Sequence, residues 1–188
     1  MSTFRPVWSL CGGWAVEAWS GRRTRDHTDV DIAVCQEDQH AVFDHLGGWQ
    51  VIGHDDHVAP DSTELWDGRR LDLPAHIHAR SQDGFSLEVL LNERSSRDWI
   101  LNREPRITMP LPRCAQLSAW SLPTVVPEIL LFYKATAYFG DEEMMNRRPH
   151  DEHDFLALLP NLTEERCSWL RHAISLVQPG HPLTHISL

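Results

Sequence analysis

Asp29 and Asp31 stand one residue apart in the run Asp29-Val30-Asp31-Ile32-Ala33-Val34. In a strand, residues two apart share a face. The spacing turns both carboxylates one way and leaves Val30, Ile32 and Val34 for a core. Two carboxylates on one face repel each other unless a cation lies between them. Hard oxygen ligands of this kind suit Mg²⁺ completed by water and substrate phosphates. Upstream, Gly12-Gly13 opens a helix-like segment. Glycines lack Cβ, so backbone N–H groups there can approach a phosphate at the start of the helix. Metal-binding carboxylates beside a phosphate cradle indicate nucleotidyl or phosphoryl transfer. The plainer alternative is a helix cap followed by an exposed polar strand.

The elements that must position these groups follow in order. Trp14, Ala15, Ala18 and Trp19 have helical spacing, and Gly21 is placed to end that helix. Arg22, Arg23 and Arg25 then bring positive charge near the carboxylates, either to bind an anionic group or to pair with Asp26 and neighbouring acids. His27 sits just before the strand Val30–Val34. Gln36-Glu37-Asp38 enters a short amphipathic helix, Gln39 to Leu46, and Gly47-Gly48 stops it. Trp49 to Ile52 reads as a short strand. His54-Asp55-Asp56-His57 has metal-ligand residue types, but a polar loop with Pro60 explains it more cheaply. His76 and His78 alternate on one face without a third ligand nearby and read as strand surface. Ser81-Gln82-Asp83-Gly84 is a hairpin signal between His76–Arg80 and the strand-like run Phe85 to Leu91. Residues 92–121 read as irregular, a candidate wall for an acceptor pocket. A helix is expected from Pro123 to Gly140, with Pro127 near its first turn and Lys134 the only basic residue on it. A last helix, Thr163 to Val177, takes Thr163 as N-cap.

Composition bounds the possibilities. Eight tryptophans and an apolar fraction of 41% are enough for a sizeable core. A formal charge of −10 argues against a general nucleic-acid binder and favours a cationic small substrate by electrostatic steering. Cys11, Cys35, Cys114 and Cys167 have no Cys-x-x-Cys spacing and read as reduced thiols of a cytoplasmic protein. No signal-peptide pattern opens the sequence, and no stretch approaches the roughly 20 apolar residues of a membrane span. The expected division is a catalytic core over 1–121 and a C-terminal helical subdomain over 122–188.

Gly12-Gly13-Trp14-Ala15, Gly21-Arg22, Thr24-Arg25, His27 and Asp29-x-Asp31 together resemble the opening of the nucleotidyltransferase superfamily of DNA polymerase β type. Within it they are most similar to the small bacterial branch of aminoglycoside 2''-adenylyltransferases. The resemblance implies an α/β fold, a small mixed sheet flanked by helices with a C-terminal helical subdomain. It implies transfer of a nucleoside monophosphate, AMP from ATP, to a hydroxyl of an aminoglycoside-like small molecule. Asp29 and Asp31 would hold two Mg²⁺ ions, and Gly12, Gly13, Arg25, His27 and Lys134 would bind the nucleotide. The superfamily also uses a third carboxylate that assists the base. Glu88, a charge inside an otherwise apolar strand, is the favoured candidate. Asp72 is the alternative, weakened by Pro74. Pro127, Glu128 and Lys134 fit the family's helix whose lysine faces the phosphates. Asp151 and Asp154 fit its Asp-x-x-Asp, with His150 in place of the usual lysine and Asp151 placed to orient Lys134 or Arg148. Two rivals use the same fold: a toxin or antitoxin-type nucleotidyltransferase acting on protein or RNA, and a non-catalytic nucleotide-binding protein.

Overall fold

Val30, Ile32 and Val34 alternate with Asp31 and Ala33, and this period of two forms strand β2 (Val30–Cys35) in the middle of a mixed sheet. A computed structural model describes residues 3–59, 62–136 and 149–185, without the side chains of 149–152. Pro60, Ala137, Tyr138, Gly140 and Arg148, and the side chains of His150 and Asp151, lie outside the described residues. From one edge the strands run β3 (Gln50–His54), β4 (His76–Arg80), β5 (Ser86–Arg94), β2, β1 (Trp8–Cys11), β9 (Pro123–Val125) and β8 (Ala115–Leu117). The β2–β5 and β1–β9 pairs are parallel and the other pairs along this path antiparallel. β6 (Asp98–Ile100) and β7 (Thr108–Pro110) form a ribbon on the end of β5.

Helices cover the sheet: α1 (Gly12–Ser20), α2 (Gln39–His45), a single turn α3 (Leu111–Cys114), α4 (Pro127–Thr136), α5 (Pro149–Leu158) and α6 (Glu164–Val177). On one side Val42 and Leu46 pack against Ile32, Val34, Ile77 and Val89. On the other, Leu10, Ala15 and Val16 share a core with Leu130, Phe132, Leu170 and Ile174. Thr163 caps α6 by accepting a hydrogen bond from the Arg166 N–H. No helix among the described residues is long and apolar enough to cross a membrane.

Four elements differ from expectation. The lead-in before Leu10 is partly strand, because Trp8 and Ser9 pair with Val34 and Ala33. β3 continues past Ile52 to His54. Residues 92–121 hold β6, β7, α3 and β8 rather than irregular chain. The helix expected from Pro123 begins at Pro127. Thr124 and Val125 are β-branched and favour the strand, where Thr124 pairs with Leu10.

Candidate active site

Sheet register assembles the acidic centre. Asp31 lies between Cys11 on β1 and Glu88 on β5, and Asp29 immediately precedes β2. Asp29, Asp31 and Glu88 each place a carboxylate oxygen within 4.8 Å of the other two. Burial, then the charges of Glu88 and Asp29, push the Asp31 carboxyl up from 3.8 to about 7, while Lys134 pulls it down. Mutual repulsion at this spacing is what an oxygen-ligated divalent cation relieves, so the donor set fits Mg²⁺.

Asp72 is elsewhere. Its backbone N–H donates to Asp55 Oδ2 at 3.3 Å, and its carboxylate lies 3.8 Å from His57 Nε2, 68% exposed. Asp55 grips the Arg69 guanidinium at 2.8 and 2.9 Å, which holds its carboxyl far below the usual range. The polar 55–57 loop is thus a clamp on the strap that carries Asp72. The structure brings Glu88, and not Asp72, to the aspartate pair.

Gly12 lies directly over Asp31, and Gly13 beside it faces His27 and Arg25. Gly12 has φ +62°, and a Cβ there would overlap Asp31 Oδ2. A Cβ on Gly13 would overlap the His27 ring and lie 2.6 Å from Arg25 Nη2. Among the described residues no side chain caps α1, and no acid sits in its first turn, so its leading N–H groups are open to an anion. Burial, then Asp31 and Glu88, keep the Cys11 thiol protonated beneath. Gly12→Ala is expected to cost about 1–2 kcal/mol in urea unfolding, the penalty of a left-handed alanine. It should also displace Asp31 and abolish any Mg²⁺-induced rise in melting temperature. An undiminished Mg²⁺ response would separate Gly12 from the acidic centre.

A buried carboxylate that sequence reasoning missed holds the basic turn. Glu17, 2% exposed, accepts hydrogen bonds from Thr24 N at 2.5 Å, Thr24 Oγ1 at 2.9 Å, Arg25 N at 3.2 Å and His27 Nε2 at 3.2 Å. Burial raises its pKa, but the hydrogen bonds from Thr24, His27 and Arg25 outweigh this and leave it below the ordinary value. The signal was present: Glu17 sits among Trp14, Ala15, Val16, Ala18 and Trp19, which leave α1 little polar face. His27 is thereby fixed against Trp14, ring centroids 4.6 Å apart.

Asp154, the second acid of the Asp-x-x-Asp pair, is 1% exposed. It pairs with Lys134 Nζ at 2.6 Å and Arg25 Nη2 at 3.4 Å, tying α4 and α5 to the basic turn. His153 Nε2 lies 2.8 Å from Thr24 Oγ1 on the same seam. Of the other arginines, Arg23 pairs with exposed Asp26 and lies over Trp14.

Three solved structures share this fold. The solution structure of the antibiotic-resistance factor ANT(2'')-Ia is 16% identical, covering 96% of this chain and 88% of that one with a TM-score of 0.61. The crystal structure of ANT(2'')-Ia in complex with adenylyl-2''-tobramycin is 17% identical, covering 92% and 89% with a TM-score of 0.57. The lincomycin-bound crystal structure of the lincosamide antibiotic adenylyltransferase LnuA is 16% identical, covering 81% and 85% with a TM-score of 0.54. No curated protein matches the sequence. The model of the aminoglycoside-2''-adenylyltransferase family matches residues 2–157. With that match over most of its length and this fold, the chain belongs to the aminoglycoside-2''-adenylyltransferase family and is a nucleotidyltransferase.

Proposed function

We propose that the protein transfers AMP from ATP to a hydroxyl of an aminoglycoside-like small molecule, releasing pyrophosphate. The observation that carries this reading is the convergence of Asp29, Asp31 and Glu88 beneath the uncapped N-terminus of α1. Asp29, Asp31 and Glu88 would hold divalent metal, two Mg²⁺ by family resemblance, which supplies Lewis-acid withdrawal of charge from the attacked phosphate. Glu88, on β5 between Asp31 of β2 and His78 of β4, assists removal of the acceptor hydroxyl proton. The first-turn N–H groups at Gly12 and Gly13 seat the triphosphate. Lys134, held by Asp154, presents its ammonium to the phosphates. Arg25 and His27 wall the Gly13 side and fix where the triphosphate lies. An excess of 27 acidic over 17 basic residues draws a polycationic acceptor toward the site.

Pyrophosphate release tests the reading. With ATP and Mg²⁺, release should rise at least about tenfold above background on adding an aminoglycoside such as tobramycin, and much less with lincomycin. Release that needs a protein or RNA acceptor would reassign the substrate. No release with any small acceptor would remove the proposed reaction.

A further inference from the structure

Three histidines converge on the sheet beside the acidic centre. His54, the last residue of β3, pairs in register with His76, and His78 follows on the same face of β4. One ring nitrogen from each lies within 4.8 Å of the other two. The ring centroids are 4.7 to 4.8 Å apart, with His54 and His76 stacked at 15°. His54 is 8% exposed, and its Nε2 is buried without a hydrogen-bond partner among the described residues. A buried ring nitrogen without a partner is costly and calls for an occupant. Asp55 is spent on Arg69 and His57 lies with Asp72, so neither serves it.

We propose that His54, His76 and His78 bind a borderline divalent transition-metal ion of the zinc class, at a position separate from the hard-ion ligands Asp29, Asp31 and Glu88. Three neutral imidazoles are the ligand set that prefers Zn²⁺ or Co²⁺ to Mg²⁺. Tetrahedral bonds of about 2.0–2.1 Å bring such nitrogens to about 3.3 Å from one another. Side-chain rotation closes that gap, since β3 and β4 already hold the Cα atoms in register. A three-histidine set leaves a fourth position open. Glu88 sits directly opposite His78, with Oε1 3.5 Å from its Nε2, so this carboxylate stands between the two ligand sets. Filling the histidine site therefore changes where Glu88 points.

The test uses the full-length protein without a histidine tag, stripped by chelator and then held in excess Mg²⁺. Calorimetric titration with Zn²⁺ should show one tight equivalent, and Co²⁺ should give the visible absorption of a four-coordinate site. His76→Gln and His78→Gln should each weaken Zn²⁺ binding at least about a hundredfold, the range by which even supporting residues tune metal affinity. His78 is half exposed, so His78→Gln should keep the wild-type circular dichroism and tests the ligand set in a folded chain. Asp29→Asn/Asp31→Asn should leave the tight equivalent in place. Absence of stoichiometric Zn²⁺ binding in Mg²⁺ would overturn the site. So would wild-type affinity in both histidine variants, or loss of the equivalent in the aspartate variant, which would put zinc on the acids. Each readout is binding, so the outcome is independent of whether the protein transfers AMP.

Discussion

Asp31→Asn should lower nucleotidyl transfer by about a thousandfold or more while raising the melting temperature of the metal-free protein. The two effects have one cause. Folding packs Asp31 against Glu88 and Asp29, and burial together with those charges lifts its carboxyl to about 7. A folded-state pKa above the unfolded value of 3.8 means that the folded protein holds the proton more tightly. Its contribution is then fully favourable below pH 3.8 and is lost as pH rises through about 7. Above that, the metal-free wild type carries a penalty of the order of a few kcal/mol, which asparagine does not. Thermal melts in chelator should therefore favour Asp31→Asn at pH 8 and converge near pH 4. Adding Mg²⁺ at pH 8 should stabilise the wild type and leave the variant unmoved. Equal melting temperatures at pH 8, or transfer within tenfold of wild type, would contradict the assignment of Asp31 to a metal-binding acidic centre.

Glu17→Ala should cost about 3–5 kcal/mol in urea unfolding at pH 7, the penalty of emptying a buried charged hydrogen-bonding site. Two backbone N–H groups, the Thr24 hydroxyl and the His27 ring lose their acceptor together. Because folding lowers the Glu17 pKa, its stabilisation is present above the ordinary carboxylate range and is lost as pH falls through the folded value. The deficit of Glu17→Ala relative to wild type should thus shrink in acid. Release of His27 and Arg25 frees the wall beside Gly13, so the KM for nucleotide should rise more than kcat falls. A cost below 1 kcal/mol would mean that solvent replaces the carboxylate, and that the basic turn does not depend on it.

The local features were legible because they rest on short-range geometry. The alternation around Asp29 and Asp31, the helix closed by Gly21 and the hairpin at Ser81–Gly84 each follow from backbone stereochemistry over a few residues. Glu88 stood out for a related reason, as a charge in an apolar strand. Longer-range features escaped. Pro123–Val125 looked like a helix start because proline and β-branched residues precede a helix and edge a strand alike. Pairing with Leu10 on β1 and with Ala115–Leu117 on β8 makes them strand. In the sequence His76 and His78 read as bare strand surface, because the strand signal before them stops at Ile52. Two more paired residues bring His54 beside them.

By itself the sequence determined the paired aspartates on one face, the Cβ-free entry to α1 and the family, since spacing and backbone freedom are properties of the chain. The tertiary structure alone decided which acid joins the pair, which buried carboxylates hold the basic turn and Lys134, and that three histidines meet. Those outcomes depend on sheet order and on contacts such as Arg25 with Asp154, 129 residues apart, which no local rule specifies.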